Sequence, residues 1–133
     1  MYSKGDYHIH DERNMIQLNK VESMLKSSYW ASERDSKTIQ TSIDNSVCFS
    51  LHHENNQVGF ARVVTDYASV AYIADLIIEP NHRGKGLGKW LMETIVNDSR
   101  WINKFQFLVT DDAHKLYEGF GFSGSPKLMS TKI

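Results

Sequence analysis

The run from Val70 to Val96 limits what this chain can become more than any other stretch. Val70–Ile78 is a continuous apolar segment broken only by Asp75, the composition of a strand buried on both faces. A Glu79-Pro80-Asn81-His82 break follows, then Arg83-Gly84-Lys85-Gly86-Leu87-Gly88, then Leu87, Leu91 and Ile95 at helical spacing with Trp90 and Met92 widening the stripe. Strand, basic glycine turn and helix together make the sequence form of an anion site. The first N–H groups of a helix lack intrahelical partners and its dipole favours negative charge there. Glycines let backbone approach a phosphate, and Arg83, Lys85 and Lys89 add positive charge.

Spacing eliminates two common phosphate loops. A dinucleotide fingerprint counted from Gly84 ends on Lys89 instead of glycine. A nucleotide-triphosphate loop ending at Gly88-Lys89 would begin at Arg83 and be followed by Trp90, which fails at both ends. The remaining pattern, Arg83-x-x-Gly86-x-Gly88 after Ile78-Glu79-Pro80, resembles the pyrophosphate loop of the GNAT superfamily of acetyl-CoA-dependent N-acetyltransferases. Alone, such a turn is also what a tight solvated connection looks like. A second segment, Ala113 to Phe122 (AHKLYEGFGF), resembles that family's short tyrosine helix followed by a Phe-Gly-Phe strand. The resemblance covers about Val47 to the C-terminus, and the N-terminal third matches in pattern only.

Elsewhere the chain reads as alternating short elements. Tyr7–His10 alternates as an opening strand, with His8 and His10 on one face but without the further ligands a metal site needs. Leu18, Val21, Met24 and Leu25 predict a helix within Gln17–Ser27, and Ile39 and Ile43 a second over Ser36–Ile43. Val47–His53, a polar turn at 54–57, Val58–Thr65, a turn at 66–69 and the Val70–Ile78 strand predict an antiparallel meander. Phe105–Val109 predicts a strand parallel to the last of these, since a helix connects them. Asp111-Asp112 predicts the start of a final helix, and Gly119–Phe122 its end and the start of a last strand pair. The expected fold class is α/β (α+β): a mixed, largely antiparallel sheet with helices on both faces, in one domain spanning 1–133. This agrees with the GNAT fold, whose resemblance adds a splayed central strand pair.

Composition narrows the function. A formal net charge of −1 supplies no surplus to neutralise nucleic-acid phosphates, so no nucleic-acid partner is expected, and the basic cluster at 83–89 is site-sized. The single Cys48 excludes an intramolecular disulfide, fits a reducing cytoplasm, and lies in an apolar run that predicts an inert buried thiol. No stretch is long and apolar enough to span a membrane and the start is too polar for a secretory signal, so a cytoplasmic location without membrane attachment is expected.

The resemblance implies specific roles. Acetyl-CoA would be the co-substrate, with no metal. Its pyrophosphate would lie on Arg83, Gly84, Lys85, Gly86, Leu87, Gly88 and Lys89, and its pantetheine along the backbone of Leu76, Ile77 and Ile78 in the splay. The N–H of Ile78 would receive the oxyanion and Tyr117 would protonate the leaving sulfur; a core tyrosine is the alternative. Asp75, a carboxylate in an apolar strand, is either a base or a structural group bonded to backbone or Arg62. Glu79 with a water chain is another route for the proton. No Cys stands at a motif position, so direct attack in a ternary complex is expected. Tyr29, Trp30 and Arg34, between the two N-terminal helices, lie where family members place acceptor-facing residues, with core packing and a surface ion pair as alternatives. The expected acceptor is the primary amine of a small molecule or amino acid derivative, with a protein amine or a non-catalytic acetyl-CoA sensor as alternatives. The resemblance also allows a homodimer, though no residue reports an interface.

Overall fold

The computed structural model describes residues 1–132. Its frame is one six-stranded sheet in sequence order: β1 (Tyr2–Lys4), β2 (Tyr7–His10), β3 (Val47–His53), β4 (Asn56–Thr65), β5 (Val70–Ile78) and β6 (Phe105–Phe107). Every neighbouring pair is antiparallel except β5–β6, which is parallel. The expected meander is therefore present, and so is the expected opening strand, β2; only β1, which pairs with it as a hairpin, was not signalled by the polar N-terminus. Helices α1 (Leu18–Lys26), α2 (Ser36–Asp44), α3 (Leu87–Val96) and α4 (His114–Glu118) complete the chain. No helix among the described residues is long and apolar enough to cross a membrane.

Two cores explain why helices occupy both faces. Val21, Met24 and Leu25 of α1 and Ile39 and Ile43 of α2 pack with Cys48, Phe60 and Ile77. Leu87, Leu91, Met92 and Ile95 of α3 pack with Phe49, Leu51, Val58, Ala61 and Ile73, and with the wholly buried Trp101, whose indole donates to Ile95 O at 2.7 Å. Val58 and Phe60 face different cores despite lying two residues apart, because the β3–β4 register slips between Leu51 and His52. An extra residue in a strand inverts the alternation beyond it. Burial pushes the Cys48 thiol up to about 11, which keeps it protonated and inert.

The start of α1 is fixed by a reciprocal glutamine pair. Gln17 N–H donates to Gln57 Oε1 at 2.8 Å, and Gln57 N–H donates to Gln17 Oε1 at 3.1 Å. Gln57 is fully buried, so satisfying it in this way anchors the helix to the β3–β4 hairpin. Gly59 is the tightest point of the sheet. A Cβ there would lie 2.9 Å from Ile78 Cδ1 and 3.0 Å from Leu51 Cβ. Gly59→Ala should therefore destabilise the fold by about 1–3 kcal/mol, the range for overpacked cores, read as a lowered chemical-denaturation midpoint at unchanged slope.

Two expectations near the C-terminus are corrected. The last helix begins at His114 instead of Asp111-Asp112, because Thr110 Oγ1 accepts from the Ala113 N–H. No strand follows it among the described residues. Phe122 N–H bonds back to Tyr117 O at 3.2 Å and Gly121 takes φ +91°, so Phe-Gly-Phe closes the helix. The rings of Phe120 and Phe122 pack on the α3 core.

Candidate active site

The parallel ladder between β5 and β6 is three residues long, joining Val70, Ala71 and Tyr72 to Phe105, Gln106 and Phe107. Beyond Tyr72 the two strands part, and the β6 side of β5 from Ile73 to Ile78 has no strand beside it. This is the expected splay. Glu79 N–H donates to Val58 O at 2.7 Å, on the β4 side. Strand alternation then turns the N–H and carbonyl of Ile78 toward the opening, where Arg83 Nε meets the carbonyl at 2.8 Å. Leu76, two residues earlier, shares that orientation, whereas the backbone of Ile77 faces β4.

The opening leads onto the glycine turn. Gly84 and Gly86 have φ of +78° and +75°, the left-handed region where side chains carry a penalty. A Cβ at either position would meet nothing within 4 Å, so the backbone here lies open to a ligand. Gly86 is the N-cap of α3 and offers no side chain to the first helical N–H groups. Arg83, Lys85 and Lys89 are exposed around them. The N-terminal strand supports this turn in a way local sequence did not signal. Tyr7 Oη lies 2.8 Å from His82 Nδ1, and Lys85 Nζ donates to Tyr7 Oη at 3.4 Å. Tyr7 and His82 are 75 residues apart. No residue pattern near either one announces the contact.

On the opposite side of the opening, β5 carries a bulge. Phe60 opposes Ile77 and Arg62 opposes Ala74, so Asp75 and Leu76 together face the one residue Ala61. Asp75 sits there with φ +58°. Its carboxylate accepts from Arg62 Nε at 2.6 Å, from Arg34 Nη1 at 2.7 Å and from the Trp30 indole at 3.1 Å. Burial alone would raise its pKa, but the bonds and charges of the two guanidiniums outweigh that and hold it below the usual carboxylate value. Of the two readings open for Asp75, the geometry favours the structural one, including the expected bond to Arg62.

Tyr29, Trp30 and Arg34 are brought to this same place by the α1–α2 connection. Trp30 is 41% exposed, not core-packed, and Arg34 pairs with a carboxylate whose side chain is only 2% exposed, not with a surface partner. Tyr29 Oη donates to Asp112 Oδ1 at 3.4 Å, bridging to the segment ahead of α4. Tyr117 on α4 is half-buried and packs against the α3 core, the same core that Leu76 and Ile78 of β5 pack against. Its pKa is raised by burial first, then by the negative charge of Asp112 and by Tyr29, which keeps the phenol protonated. His114 is exposed. Among the described residues no group of three His, Cys, Asp or Glu is placed to hold a metal ion.

An acetyltransferase (GNAT) domain model matches residues 44–124, more than half of the chain and nearly the stretch that carried the motifs. The uncharacterized N-acetyltransferase ycf52 of Gracilaria tenuistipitata var. liui is 34% identical over 118 residues, covering 84% of this chain, which spans 64% of that relative's length. A crystal structure from Xanthomonas campestris pv. campestris, assigned to the GNAT family, superposes with TM-score 0.90 at 31% identity over 96% of this chain and 93% of that one. A GNAT family acetyltransferase from Elizabethkingia anophelis, solved with acetyl-CoA bound, shares the fold at TM-score 0.68 and 14% identity, over 90% of this chain and 78% of that one. The open strand edge, the glycine turn and the tyrosine helix all lie within the matched residues, and the chain belongs to the GNAT acetyltransferase family.

Proposed function

We propose that this protein moves the acetyl group of acetyl-CoA to the primary amine of a small molecule by direct attack in a ternary complex. One observation carries this reading. The β5–β6 ladder stops at Tyr72 and Phe107, so an open strand edge is followed, through the Pro80–His82 turn and the glycine turn, by an exposed helix N-terminus without a side-chain cap. An extended amide-bearing arm ending in a pyrophosphate matches both parts. Its amides would pair with Leu76 and Ile78 as an added strand, and its pyrophosphate would meet the N–H groups of Gly84–Lys89 with Arg83, Lys85 and Lys89. The acetyl-CoA-bound relative of the same fold supports this choice of ligand.

The chemistry then follows from positions. The neutral amine attacks the thioester carbonyl carbon, and the developing oxyanion is met by the Ile78 N–H. Collapse breaks the C–S bond, Tyr117 gives its proton to the departing thiolate, and the amine nitrogen loses a proton to water. Asp75 is a poor proton acceptor while two guanidiniums hold it as an anion, so its part is to position the acceptor loop. Initial velocities measured against both substrates should give intersecting double-reciprocal lines, and parallel lines would mean an acetyl-enzyme instead.

The turn allows a narrower test. Gly86→Val should cost about 1–2 kcal/mol through its left-handed φ. Rotating the turn to relieve that strain moves its N–H groups, so calorimetry should find CoA binding weakened about tenfold or more.

A further inference from the structure

The ion cluster around Asp75 is not neutral. One carboxylate faces two guanidiniums, and Asp75 Oδ2 is shared by both while Oδ1 is taken by Trp30. Arg62 is the inner partner, 13% exposed and with a further bond to Ser46 Oγ at 3.3 Å. Arg34 is the outer one, 28% exposed. Among the described residues only its Nη1 has a protein acceptor; Nε and Nη2 donate to none. A guanidinium carries five donors in a planar fork suited to bidentate pairing with an oxyanion.

The surroundings of Arg34 are equally specific. Tyr29 and Trp30 stand edge to face with ring centroids 5.1 Å apart, and both are exposed on the same short connection. Tyr29 then reaches Asp112, so the sequence of chemistry across the opening runs from surplus positive charge, past two aromatic faces, to a carboxylate near Tyr117. A ligand with an anion at one end and an amine at the other complements that order. The surplus at the cluster is one charge, which matches a carboxylate and not a doubly charged phosphate.

Resting on the acetyl-transfer reading above, we infer that the acceptor is an amine that also carries a carboxylate, held by Arg34 with its carbon skeleton against Tyr29 and Trp30. Amino acids and their derivatives with a free carboxylate are the class described. Arg34 is then a specificity residue, distinct from the groups that handle the acetyl transfer.

The test compares matched acceptors differing only in the carboxylate, phenylalanine with phenethylamine and 4-aminobutyrate with butylamine, by amine-dependent thiol release from acetyl-CoA. Hydrogen bonds to a charged group predict a kcat/KM advantage of about ten- to a hundredfold for at least one carboxylate member. Arg34→Gln should collapse that ratio toward one by raising KM for the carboxylate member, and Arg34→Lys should restore part of it. Thermal melts and CoA calorimetry on both variants check that the fold survives. The wild-type ratio needs no variant. A wild-type ratio near one with clear turnover overturns this inference and leaves acetyl transfer standing. A ratio that survives in a folded Arg34→Gln also overturns it. CoA binding without turnover on any acceptor overturns the acetyl-transfer reading and this inference with it.

Discussion

Tyr117→Phe should lower amine-dependent thiol release by about a hundred- to ten-thousandfold while leaving CoA affinity within a few-fold of wild type. That range is what a positioned general acid contributes. The substitution removes one oxygen and keeps the ring, so the packing of Tyr117 with the α3 core and its edge contact with Phe122, centroids 6.3 Å apart, are retained. A purely packing tyrosine would show the opposite pattern, with melting temperature moved and turnover nearly unchanged. Stopped assays for free thiol with calorimetry on the same preparations separate the two. Because burial holds the phenol above its ordinary pKa, the acid form persists throughout the neutral range. The activity that the hydroxyl supplies should accordingly show no loss there from Tyr117 ionisation.

The largest stability effect is expected at Asp75. Asp75→Ala leaves Arg34 and Arg62 beside one another with no counter-charge, both mostly withdrawn from water. Breaking a buried pair by removing one partner costs about 3–5 kcal/mol, and urea denaturation of the variant should show a loss of that size. Asp75→Asn keeps a side chain that tolerates φ +58° and one amide oxygen that can stand in for Oδ2, which accepts from both Arg34 and Arg62, so it should lose less than the alanine. The same carboxylate sets an acid limit. Its folded pKa is depressed below the unfolded value, so its contribution to stability is complete above about 3.9. That contribution is lost as pH falls through the folded value. Wild type should show this acid loss of stability, and Asp75→Asn should lack the part of it that comes from this residue.

What could be read from residues alone was whatever is local. The glycine turn, α3 and the β3–β4–β5 meander each sit within one continuous stretch, and alternation or helical spacing specifies them without reference to distant chain. The need of Asp75 for partners was legible too, since a charged residue inside an apolar strand must be paired, although the bulge that holds it was not. Arg62 could be named as one of those partners, but the other two were not legible. Arg34 is 41 residues away and Trp30 is 45, and only the packing of α1 and α2 on the sheet brings them to Asp75. The support of the turn by Tyr7 and His82 was hidden for the same reason. The missing last strand has a different cause. Phe120-Gly121-Phe122 carries residues that suit a strand, but the N–H of Phe122 is spent on Tyr117 O, and a helix cap won over sheet pairing.

Acetyl transfer itself is tested most directly by incubating the wild-type protein with acetyl-CoA and a panel of primary amines, amino acids and N-terminal peptides. Free thiol and the mass of the amine product would be read together. Thiol release should depend on a small-molecule amine and match an acetylated product mole for mole. Failure of CoA to bind at the glycine turn, or binding with no acetylated product from any acceptor, would contradict it.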